Sequence, residues 1–448
     1  MAPKVFRDPI HGNIEVDESE LRIIDLPQFQ RLRHIHQLAL THFVFHGAEH
    51  TRFGHSLGVL EVAGRMFDRL RTPGGGLEGM PQDKARRKRR LVRLAALVHD
   101  IGHSPFSHAL EGGDEKLFAR GEDHDKVGAR IIGEQLTSAI KDAYAGEISA
   151  EDVVEVLEHA LPAEETYLWQ IISGPLDADK IDYLLRDAHY CGVRYGWFDF
   201  ERILSKLIVH ELPPEYGVSA RVLGLDKGAT EAYEEFFLAR HWMNAQVYMH
   251  PARRQLDIII RKLVVDLVPG GQLPTDITQY LRWDDDRVFA EAATSSSPWA
   301  QRLFRPLFYC AWRERVTKQR VTKVTATDSK SSAQSGVPVL QQFHQIADAL
   351  EADASLKGSV YRDLATIKNK DYAERPGDAS QKEADQIPFF VRREKDAKLV
   401  PVAQDSAVIP SVPETMTYFF VFVDRAKQER AMEIVSSLNF QTESGSDG

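Results

Sequence analysis

The densest group of side chains able to do chemistry lies between His99 and His108, where the sequence reads HDIGHSPFSH. This stretch contains three histidines and one aspartate, and it follows an apolar segment, LVRLAALV, that predicts a buried helix. A histidine followed directly by an aspartate at a helix end can direct both side chains toward one ion. Nitrogen together with carboxylate ligation suits iron, manganese, nickel or zinc better than calcium. The segment therefore predicts a divalent metal site that includes His99 and Asp100.

Two further ligands are needed to complete such a site, and the sequence offers them at distant positions. His55 lies in TRFGHSLG, just before a predicted helix, and Asp179 lies in PLDADKIDYLLRD, just before another. Ligands belong on rigid elements, and each of these residues begins an amphipathic one. Taken singly, each is more often an ordinary core or surface residue. Their joint occurrence predicts a metal site made of His55, His99, Asp100 and Asp179.

The elements that must position these residues are mostly helices, because apolar residues recur at helical spacing along the chain. The predicted helices span residues 56–70, 91–99, 123–140, 150–161, 166–173, 180–189, 230–268 (one helix, or two interrupted near 251), 340–352 and 427–438. Alternating residues and turn signals predict hairpins within 4–16 and 209–225, and a strand at 418–423. The expected fold class is mainly α, with a helical core, small β-hairpins and a C-terminal α+β appendage.

The stretch at residues 325–336, TATDSKSSAQSG, divides the chain by its composition. It is rich in Ser and Thr and predicts a polar linker or loop. We therefore expect a core at residues 1–324, a C-terminal helical and α+β region at 337–441, and a disordered tail at 442–448.

The composition indicates a folded protein in a reducing compartment. The chain has 448 residues, a hydrophobic fraction of 43% and two cysteines, Cys191 and Cys310, too few for a disulfide framework. No apolar run approaches the roughly 20 residues that span a bilayer. The first residues lack the apolar stretch of a secretory signal. We therefore expect a cytoplasmic protein without a membrane partner.

The net charge of −10 argues against a protein with a broadly basic surface for nucleic-acid binding, although a local cationic groove is compatible with this charge. The one dense basic run is KARRKRR, at residues 84–90. We interpret it as a solvated loop that leads into the apolar helix, with a nucleic-acid contact as the alternative. Nucleic acid is therefore an allowed partner but not a favoured one.

The ordered set His55, His99, Asp100 and Asp179 matches the H…HD…D signature of the HD superfamily. The segments KVFRDPIHGNIEV, IIDLPQFQRLRHIHQL, TRFGHSLGV, HDIGHSPFSH and DADKIDYLLRDAH resemble its deoxynucleoside triphosphate (dNTP) triphosphohydrolases, both the sterile-alpha-motif/HD-domain enzymes and bacterial relatives. The resemblance does not extend to the sterile-alpha-motif domain. The resemblance implies an HD-domain helical core and hydrolysis of a dNTP to a deoxynucleoside and inorganic triphosphate. It also implies a divalent ion, which we expect to be Mn, Mg, Fe, Ni or Zn.

The resemblance assigns roles to the residues around the metal. It implies that His108 is the general acid that protonates the leaving 5′ oxygen. Similar enzymes place an aspartate beside that histidine, and Glu111 stands at the corresponding position here. His103 and His124 match further active-site histidines, which we interpret as phosphate contacts or proton-transfer partners.

Five further matches concern the triphosphate and the sugar. Arg52, Lys180 and Arg240 match positions that contact the triphosphate, where cations must meet its charge. Tyr183 is implied to pack against the sugar and to exclude a ribose 2′-hydroxyl, and Asp187 to accept a hydrogen bond from the 3′-hydroxyl. The alternatives are surface ion pairs for the two arginines and core packing for Tyr183.

The family also has substrate-side residues near the sugar and base. Their matches here are Gln37, Leu38, Tyr248 and His250. One family histidine is replaced by Asn244, so the contacts of that segment are expected to differ. For Asp182 and Asp187 the alternative is a solvated helix face.

A regulatory site is implied by three residues before the first metal ligand. Asp25, Gln30 and Arg33 match positions of a guanine-nucleotide activator site in similar enzymes. The alternative is a helix with a capping aspartate and a solvated arginine face. We expect a homo-oligomer, a dimer or a tetramer, that an activating nucleotide regulates.

Two other functions compete with dNTP hydrolysis. The first is an HD phosphodiesterase or nucleotidase acting on another phosphate ester, for which a sugar-packing tyrosine and a triphosphate-binding lysine would be superfluous. The second is a protein that binds nucleotides or single-stranded nucleic acid without turnover, which a complete set of metal ligands and a general acid disfavours.

Overall fold

The computed structural model describes residues 3–112, 115, 117–213, 216, 219–303, 308–318, 339–368, 389–393, 398–413 and 415–438. The predicted linker at 325–336 and the predicted tail at 442–448 lie outside the described residues. Most of the described elements are helices, which confirms the mainly α fold. None of these helices combines the length and the apolar composition needed to span a membrane.

The chain begins with the predicted antiparallel hairpin, in which strand β1 (Lys4–Asp8) pairs with β2 (Gly12–Val16). The carboxylate of Asp8 stabilises the turn by accepting hydrogen bonds from two backbone N–H groups, at 2.8 and 2.9 Å. Short helical elements follow: α1 (Glu18–Ile24), α2 (Pro27–Gln30) and 3-10 turns at Arg31–His34 and Ala39–Phe43.

Two long helices come next, α3 (Arg52–Arg71) and α4 (Gln82–Val98). The residues at 91–98 of α4 are buried, so the predicted buried helix is confirmed. Helix α3 begins four residues before its predicted start at residue 56, and His55 therefore lies within the helix rather than before it.

The basic run at residues 84–90 lies inside α4, so its interpretation as a solvated loop is wrong. Lysine, arginine and alanine favour helices, and the local preference therefore extends the apolar helix toward its N-terminus. Four of its six basic side chains pair with acidic residues elsewhere in the chain. These pairs are Arg87–Asp152, Lys88–Glu165, Arg89–Asp68 and Arg90–Glu147. The run is thus engaged within the molecule, which argues against the nucleic-acid alternative.

The middle of the chain contains the predicted helices with altered ends. They are α5 (His124–Ile131), α6 (Thr137–Ala143), α7 (Ala150–Leu157), α8 (Thr166–Gln170) and α9 (Ala178–Cys191). A further helix, α10 (Phe200–Lys206), was not predicted. A π-helical turn, Ile132–Leu136, joins α5 to α6 within the predicted helix at 123–140.

Helix α3 packs against both α4 and α9, and this packing builds the centre of the molecule. Gly58 permits the close approach to α9, because a Cβ atom at this position would lie 1.8 Å from Oδ1 of Asp182 and 2.5 Å from Nη2 of Arg186. The start of α3, the end of α4 and the start of α9 therefore meet.

The predicted hairpin within 209–225 is confirmed by the antiparallel strands β3 (Leu207–Glu211) and β4 (Arg221–Leu225). The stretch predicted as one helix or two forms two, separated by a π-helical turn at Asn244–Tyr248. The helices of this part are α11 (Thr230–Met243), α12 (Pro251–Leu267), α13 (Ile277–Tyr280), α14 (Asp285–Thr294) and α15 (Pro298–Leu303).

The C-terminal part is α+β, as predicted. Its elements are β5 (Phe308–Lys318), α16 (Val339–Ala352), β6 (Val360–Lys368), β7 (Phe390–Arg392), β8 (Leu399–Pro401), α17 (Val402–Asp405), β9 (Thr415–Asp424) and α18 (Gln428–Ser437). Strand β9 is central in a sheet of order β5-β9-β6, and α16 and α18 pack on it around a separate apolar cluster. Strand β7 pairs with β4 in the sheet β3-β4-β7-β8. The predicted division at residue 324 stays a prediction.

Candidate functional site

The side chains predicted as metal ligands lie together at the junction of three helices. His55 is in the first turn of α3, His99 and Asp100 directly follow α4, and Asp179 is in the first turn of α9. The Nε2 atom of His55 lies 3.1 Å from Oδ1 of Asp179 and 3.4 Å from Oδ2 of Asp100. The Nε2 atom of His99 lies 3.3 Å from Oδ1 of Asp100. The structure therefore brings all of these residues to one point.

The two histidine rings present the same nitrogen to this cluster because the other nitrogen is bonded elsewhere. Nδ1 of His55 bonds Oδ2 of Asp182 at 2.7 Å, and Nδ1 of His99 bonds the carbonyl oxygen of Ala96 at 2.8 Å. Both Nε2 atoms are buried and make no hydrogen bond of standard geometry within the described residues. Histidine ligands usually donate their second nitrogen to a carboxylate or carbonyl in this way. The residues present therefore fit a divalent cation.

Opposite charges are concentrated at this buried point. Burial alone would lower the pKa of His55, but the nearby carboxylates of Asp179 and Asp182 outweigh burial and raise that pKa to about 10. Burial would raise the pKa of Asp100, but nearby cations, chiefly Arg52, hold it well below its ordinary value. Nη1 of Arg52 lies 2.5 Å from Oδ2 of Asp100. Asp100 is therefore charged at neutral pH, as a cation site requires.

Asp182 is the central acceptor of a buried hydrogen-bond network behind the predicted metal ligands. Its oxygens bond Nδ1 of His55 at 2.7 Å, Nε2 of His11 at 2.7 Å, and Nε and Nη2 of Arg186 at 2.8 and 2.9 Å. Arg186 also donates to Asp8 at 2.9 Å. Asp182 is fully buried, so the alternative of a solvated helix face is wrong for it. This network was not predicted, although two charged residues four apart on an amphipathic helix hint at an internal ion pair.

A second cluster contains the histidines predicted to move protons. Nδ1 of His108 lies 2.8 Å from Oε2 of Glu111, and Nδ1 of His124 lies 2.7 Å from Oε1 of the same carboxylate. The rings of His103 and His124 stack at 4.1 Å. Glu111 therefore joins His108 and His124, and one extra methylene relative to aspartate does not prevent the contact with His108.

The charges of this second cluster differ from residue to residue. Burial would raise the pKa of Glu111, but hydrogen bonds from His108 and His124 hold it below its ordinary value. Burial would lower the pKa of His124, but its close contact with the Glu111 carboxylate raises it. Burial, reinforced by the charge of Arg52, holds the pKa of His103 well below its ordinary value. His103 is therefore neutral beside an ionised Glu111.

A cavity of about 780 Å³ opens onto both clusters. Asp179, Tyr183 and Asp187 all line it, so one face of α9 runs along its wall, as the spacing of four residues predicts. From the first to the last of these residues the helix rises by about 12 Å. The predicted substrate-side residues on the wall are Gln37, Leu38, Arg52, Tyr183, Asp187 and Tyr248.

Three predicted substrate contacts are not among the residues that line this cavity: Lys180, Arg240 and His250. Nζ of Lys180 donates to Oδ2 of Asp177 at 2.6 Å and to the carbonyl oxygen of Gly174 at 2.9 Å, because the local loop supplies these acceptors. His250 caps α12. The charges of Arg240 and Lys180 both act on the phenol of Tyr183 and partly offset the effect of burial, which raises its pKa to about 12.

Asp187 is held from two sides. Nε2 of His50 lies 2.7 Å from its Oδ1, and the hydroxyl of Tyr248 donates to its Oδ2 at 2.6 Å. The ring of His50 stacks on Tyr190 at 4.6 Å. Asp187 is buried, so a solvated helix face is wrong for it also. The part played by His50 was not predicted, although this histidine directly precedes the TRFGHSLG segment.

Two arginines on the cavity wall were not predicted, Arg253 and Arg254. Nη1 of Arg253 donates to the carbonyl oxygen of Tyr248 at 2.5 Å. Arg254 makes two hydrogen bonds of 2.7 Å to Asp363 on β6, so the C-terminal sheet contacts the cavity wall through this pair. In the sequence, these two residues are marked only as adjacent arginines that follow the predicted helix break near residue 251.

The residues predicted to bind an activator lie away from the cavity. Asp25 is exposed, and Nε of Arg33 donates to Oε1 of Gln30 at 2.8 Å. The guanidinium of Arg33 lies over the ring of Phe53, 3.5 Å from its centroid. These contacts suit a helix surface, and an activator site at these residues stays a prediction.

Comparison with known families divides the chain into two matched regions. Residues 52–188 match the HD domain, and residues 198–337 match the HD-associated region. The first match contains all of the clustered metal-ligand residues.

Relatives with similar sequences include proteins with and without a described activity. The chain is 34% identical over 306 residues to an uncharacterized protein of Methanocaldococcus jannaschii, covering 68% of this chain and 58% of that protein. It is 37% identical over 263 residues to the uncharacterized protein YwfO of Bacillus subtilis, covering 58% and 55%. It is 34% identical over 285 residues to the deoxynucleoside triphosphate triphosphohydrolase SAMHD1 of Homo sapiens, covering 57% and 43%. The chain thus spans roughly half the length of these relatives.

A solved structure supports the same relationship over nearly the whole chain. The crystal structure of a hypothetical protein from Aquifex aeolicus superposes with a TM-score of 0.73 at 28% sequence identity, covering 97% of this chain and 100% of that one. The domain matches agree with the geometry, because the four predicted metal ligands occur in the family's order along the chain and converge at one point. The chain belongs to the HD-domain phosphohydrolase family and contains an HD domain followed by an HD-associated region.

Proposed function

We propose that the protein is a divalent-metal-dependent dNTP triphosphohydrolase, which converts a dNTP and water to a deoxynucleoside and inorganic triphosphate. The order of groups along one cavity carries the proposal. Three of the proposed metal ligands and His108 line the same cavity as Tyr183 and Asp187, which follow Asp179 along α9. Relatives named as dNTP triphosphohydrolases support it.

The chemistry at the phosphate end follows from the side chains present. A divalent ion held by His55, His99, Asp100 and Asp179 would polarise the α-phosphate. The leaving 5′ oxygen needs a proton, which we assign to His108 on the cavity wall. Its hydrogen bond to ionised Glu111 orients the ring.

The chemistry at the sugar end would select the deoxy form. The carboxylate of Asp187 is fixed by His50 and Tyr248, and each of its oxygens can accept one more hydrogen bond, which a 3′-hydroxyl can supply. The ring of Tyr183 beside it offers no polar partner for a 2′-hydroxyl. Burying that hydroxyl unpaired would cost about 1–3 kcal/mol. We therefore expect dNTPs to be preferred over NTPs.

The negative charge of a triphosphate requires cations along the same wall. Arg52, Arg253 and Arg254 line the cavity. Arginine can bind phosphate oxygens in pairs, and these three residues are our proposed triphosphate contacts. Lys180 and Arg240 would contribute through their longer-range charge.

The two competing functions make different demands on the site. A phosphodiesterase or nucleotidase of the HD family would need the metal ligands but no pocket that reads a sugar and a triphosphate together. A binding protein without turnover would need neither the ligands nor the His108–Glu111 pair. The presence of both groups on one cavity favours the triphosphohydrolase.

Product analysis tests the proposal. The full chain is incubated with each dNTP singly and with all four mixed, with Mn²⁺ or Mg²⁺, and chromatography measures deoxynucleoside and inorganic triphosphate. We expect both products in equal amounts. The mixture is included because our expectation of a nucleotide-activated oligomer predicts turnover that depends on a second nucleotide.

Two variants separate the site from the rest of the molecule. His99→Ala removes a metal ligand and should abolish turnover, whereas His34→Ala changes an exposed histidine paired with Asp286 and should not. Release of pyrophosphate and a deoxynucleoside monophosphate would point to a different HD hydrolase. No product with any dNTP, alone or mixed, would favour the binding protein.

A further inference from the structure

A second group of ligating side chains lies outside the proposed active site. The group consists of His36, His42 and Glu49, and the potential ligand atoms of all three lie within 4.8 Å of one another. None of them belongs to the cavity wall, and none has a role in the proposed reaction.

The chain brings these residues together by a short antiparallel pairing. His36 pairs with Thr51 in an isolated β-bridge, and the backbone N–H of Gln37 donates to the carbonyl oxygen of His50 at 3.0 Å. Glu49 lies two residues before Thr51, and its carboxylate reaches His36, with 3.2 Å between Oε2 and Nε2. The 3-10 turn between the paired segments places the ring of His42 4.8 Å from that of His36, nearly parallel to it.

His36 is held in the orientation that a metal ligand needs. Its Nδ1 lies 2.7 Å from Oδ2 of Asp285, which is fully buried, and its backbone N–H donates to the same oxygen at 2.9 Å. The opposite nitrogen, Nε2, therefore faces Glu49. A buried carboxylate behind an imidazole is the usual arrangement behind metal-bound histidines, because it fixes the ring and makes the ligating nitrogen more basic.

The other two members meet further requirements of a metal site. Nδ1 of His42 is buried and makes no hydrogen bond of standard geometry within the described residues. The side chain of Glu49 is 60% exposed, which gives an ion access from solvent.

We propose that His36, His42 and Glu49 form a second site for a divalent transition metal of the zinc class. Two imidazole nitrogens and one carboxylate oxygen are a common set of three protein ligands for Zn²⁺, with water completing the coordination. The softer nitrogen ligands favour Zn²⁺, Co²⁺ or Ni²⁺ over Mg²⁺ or Ca²⁺.

An ion at this position would stabilise one wall of the cavity. The carbonyl oxygen of His36 accepts a hydrogen bond from Oγ of Ser107 at 2.7 Å, and that hydroxyl accepts from Nε of Arg52 at 3.0 Å. Asp285, behind His36, also accepts from the backbone N–H of Phe106 at 2.6 Å. The site thus contacts both the segment that presents Gln37 to the cavity and the loop before His108.

Metal stoichiometry of the full chain tests this proposal. Protein freed of metal with a chelator is titrated with Co²⁺ and with Zn²⁺ at pH 7.5, and bound equivalents and affinities are measured by competition with a chromophoric chelator. Glu49→Gln replaces an exposed carboxylate by an amide of nearly the same size and should not affect folding. We expect this variant to lose one equivalent, or to bind it at least 10-fold more weakly, and His42→Ala to lose the same one.

The controls distinguish this site from the proposed active site. His46→Ala changes an exposed histidine in the same segment and should leave the stoichiometry unaltered. His99→Ala should lose a different equivalent, so the double variant with Glu49→Gln should lose two. If Glu49→Gln bound as many equivalents as the wild-type protein with the same affinities, the second site would not exist, whatever the outcome for His99→Ala.

Discussion

Replacing Asp182 by asparagine probes the buried network that supports the metal ligands. Burial alone would raise the pKa of Asp182, but the charge of Arg186 and hydrogen bonds from His11 and His55 hold it well below its ordinary value. The carboxylate is therefore ionised at neutral pH. Its Oδ1 bonds His11 and Arg186, and its Oδ2 bonds His55 and Arg186. In Asp182→Asn, the amide NH₂ must face one histidine and one arginine nitrogen in either orientation.

The expected magnitude follows from these contacts. Breaking a buried ion pair typically costs about 3–5 kcal/mol, and we expect about 3 kcal/mol because Arg186 keeps its bond to Asp8. Loss of the acceptor behind a metal-bound histidine typically weakens metal binding by about 10- to 100-fold. Such a loss corresponds to about 1.4–2.8 kcal/mol of binding free energy.

Two measurements and one control check this prediction. Urea unfolding at pH 7.5 gives the free energy of unfolding of the metal-free protein, and chelator competition gives the metal affinity. Asp68→Asn is the control, because Asp68 pairs with Arg89 at the surface, where both side chains are at least 40% exposed. An exposed pair contributes at most about 1 kcal/mol, and its loss should not alter metal affinity. If Asp182→Asn matched Asp68→Asn in both measurements, the supporting role of the network would be refuted.

Three more predictions concern neighbouring features. Gly58→Ala should lower the free energy of unfolding by about 1–3 kcal/mol, because the added methyl group overlaps a buried ion pair. Gly54→Ala is the control: its added methyl group would lie 3.5 Å from the nearest atom, so the same urea titration should show almost no change. Glu111→Gln should destabilise the protein more at pH 6 than at pH 8.5. Glu111 raises the pKa of His124, and the resulting stabilisation is fully present below about pH 6.5 and is lost as pH rises through the pKa of His124 in the folded protein. A difference that grows with pH in paired urea titrations would contradict this. Tyr183→Ala should narrow the ratio of kcat/KM for dGTP over GTP by about 10-fold or more, and an unchanged ratio would remove the ring from sugar selection.

The convergence of the proposed metal ligands could be predicted from the sequence because their residue types are unusual for their positions. A histidine–aspartate pair after an apolar helix is rarely structural, and two distant polar residues at helix starts complete the set. The helices could be predicted because their apolar periodicity is strong. Their ends moved by a few residues, since local propensity and capping compete there.

The supporting residues could not be predicted because burial of a polar side chain depends on tertiary packing. Asp182 lies three residues after Asp179 and looks like any polar position of an amphipathic helix. It is buried because Gly58 lets α3 approach within contact of α9. Lys180 was expected at the triphosphate, but Asp177, three residues earlier, captures its ammonium group. The sequence alone does not show whether the ammonium group of Lys180 binds Asp177 or a phosphate of the substrate.

The most direct test of the central claim follows the oxygen atom of the attacking water. The wild-type protein is incubated with dGTP and Mn²⁺ in H₂¹⁸O, a second dNTP is added if single substrates are inactive, and mass spectrometry locates the label. Attack at the α-phosphorus predicts one ¹⁸O in the inorganic triphosphate and none in the deoxynucleoside. Label in the 5′-hydroxyl of the deoxynucleoside, or products other than deoxynucleoside and triphosphate, would contradict the proposed reaction.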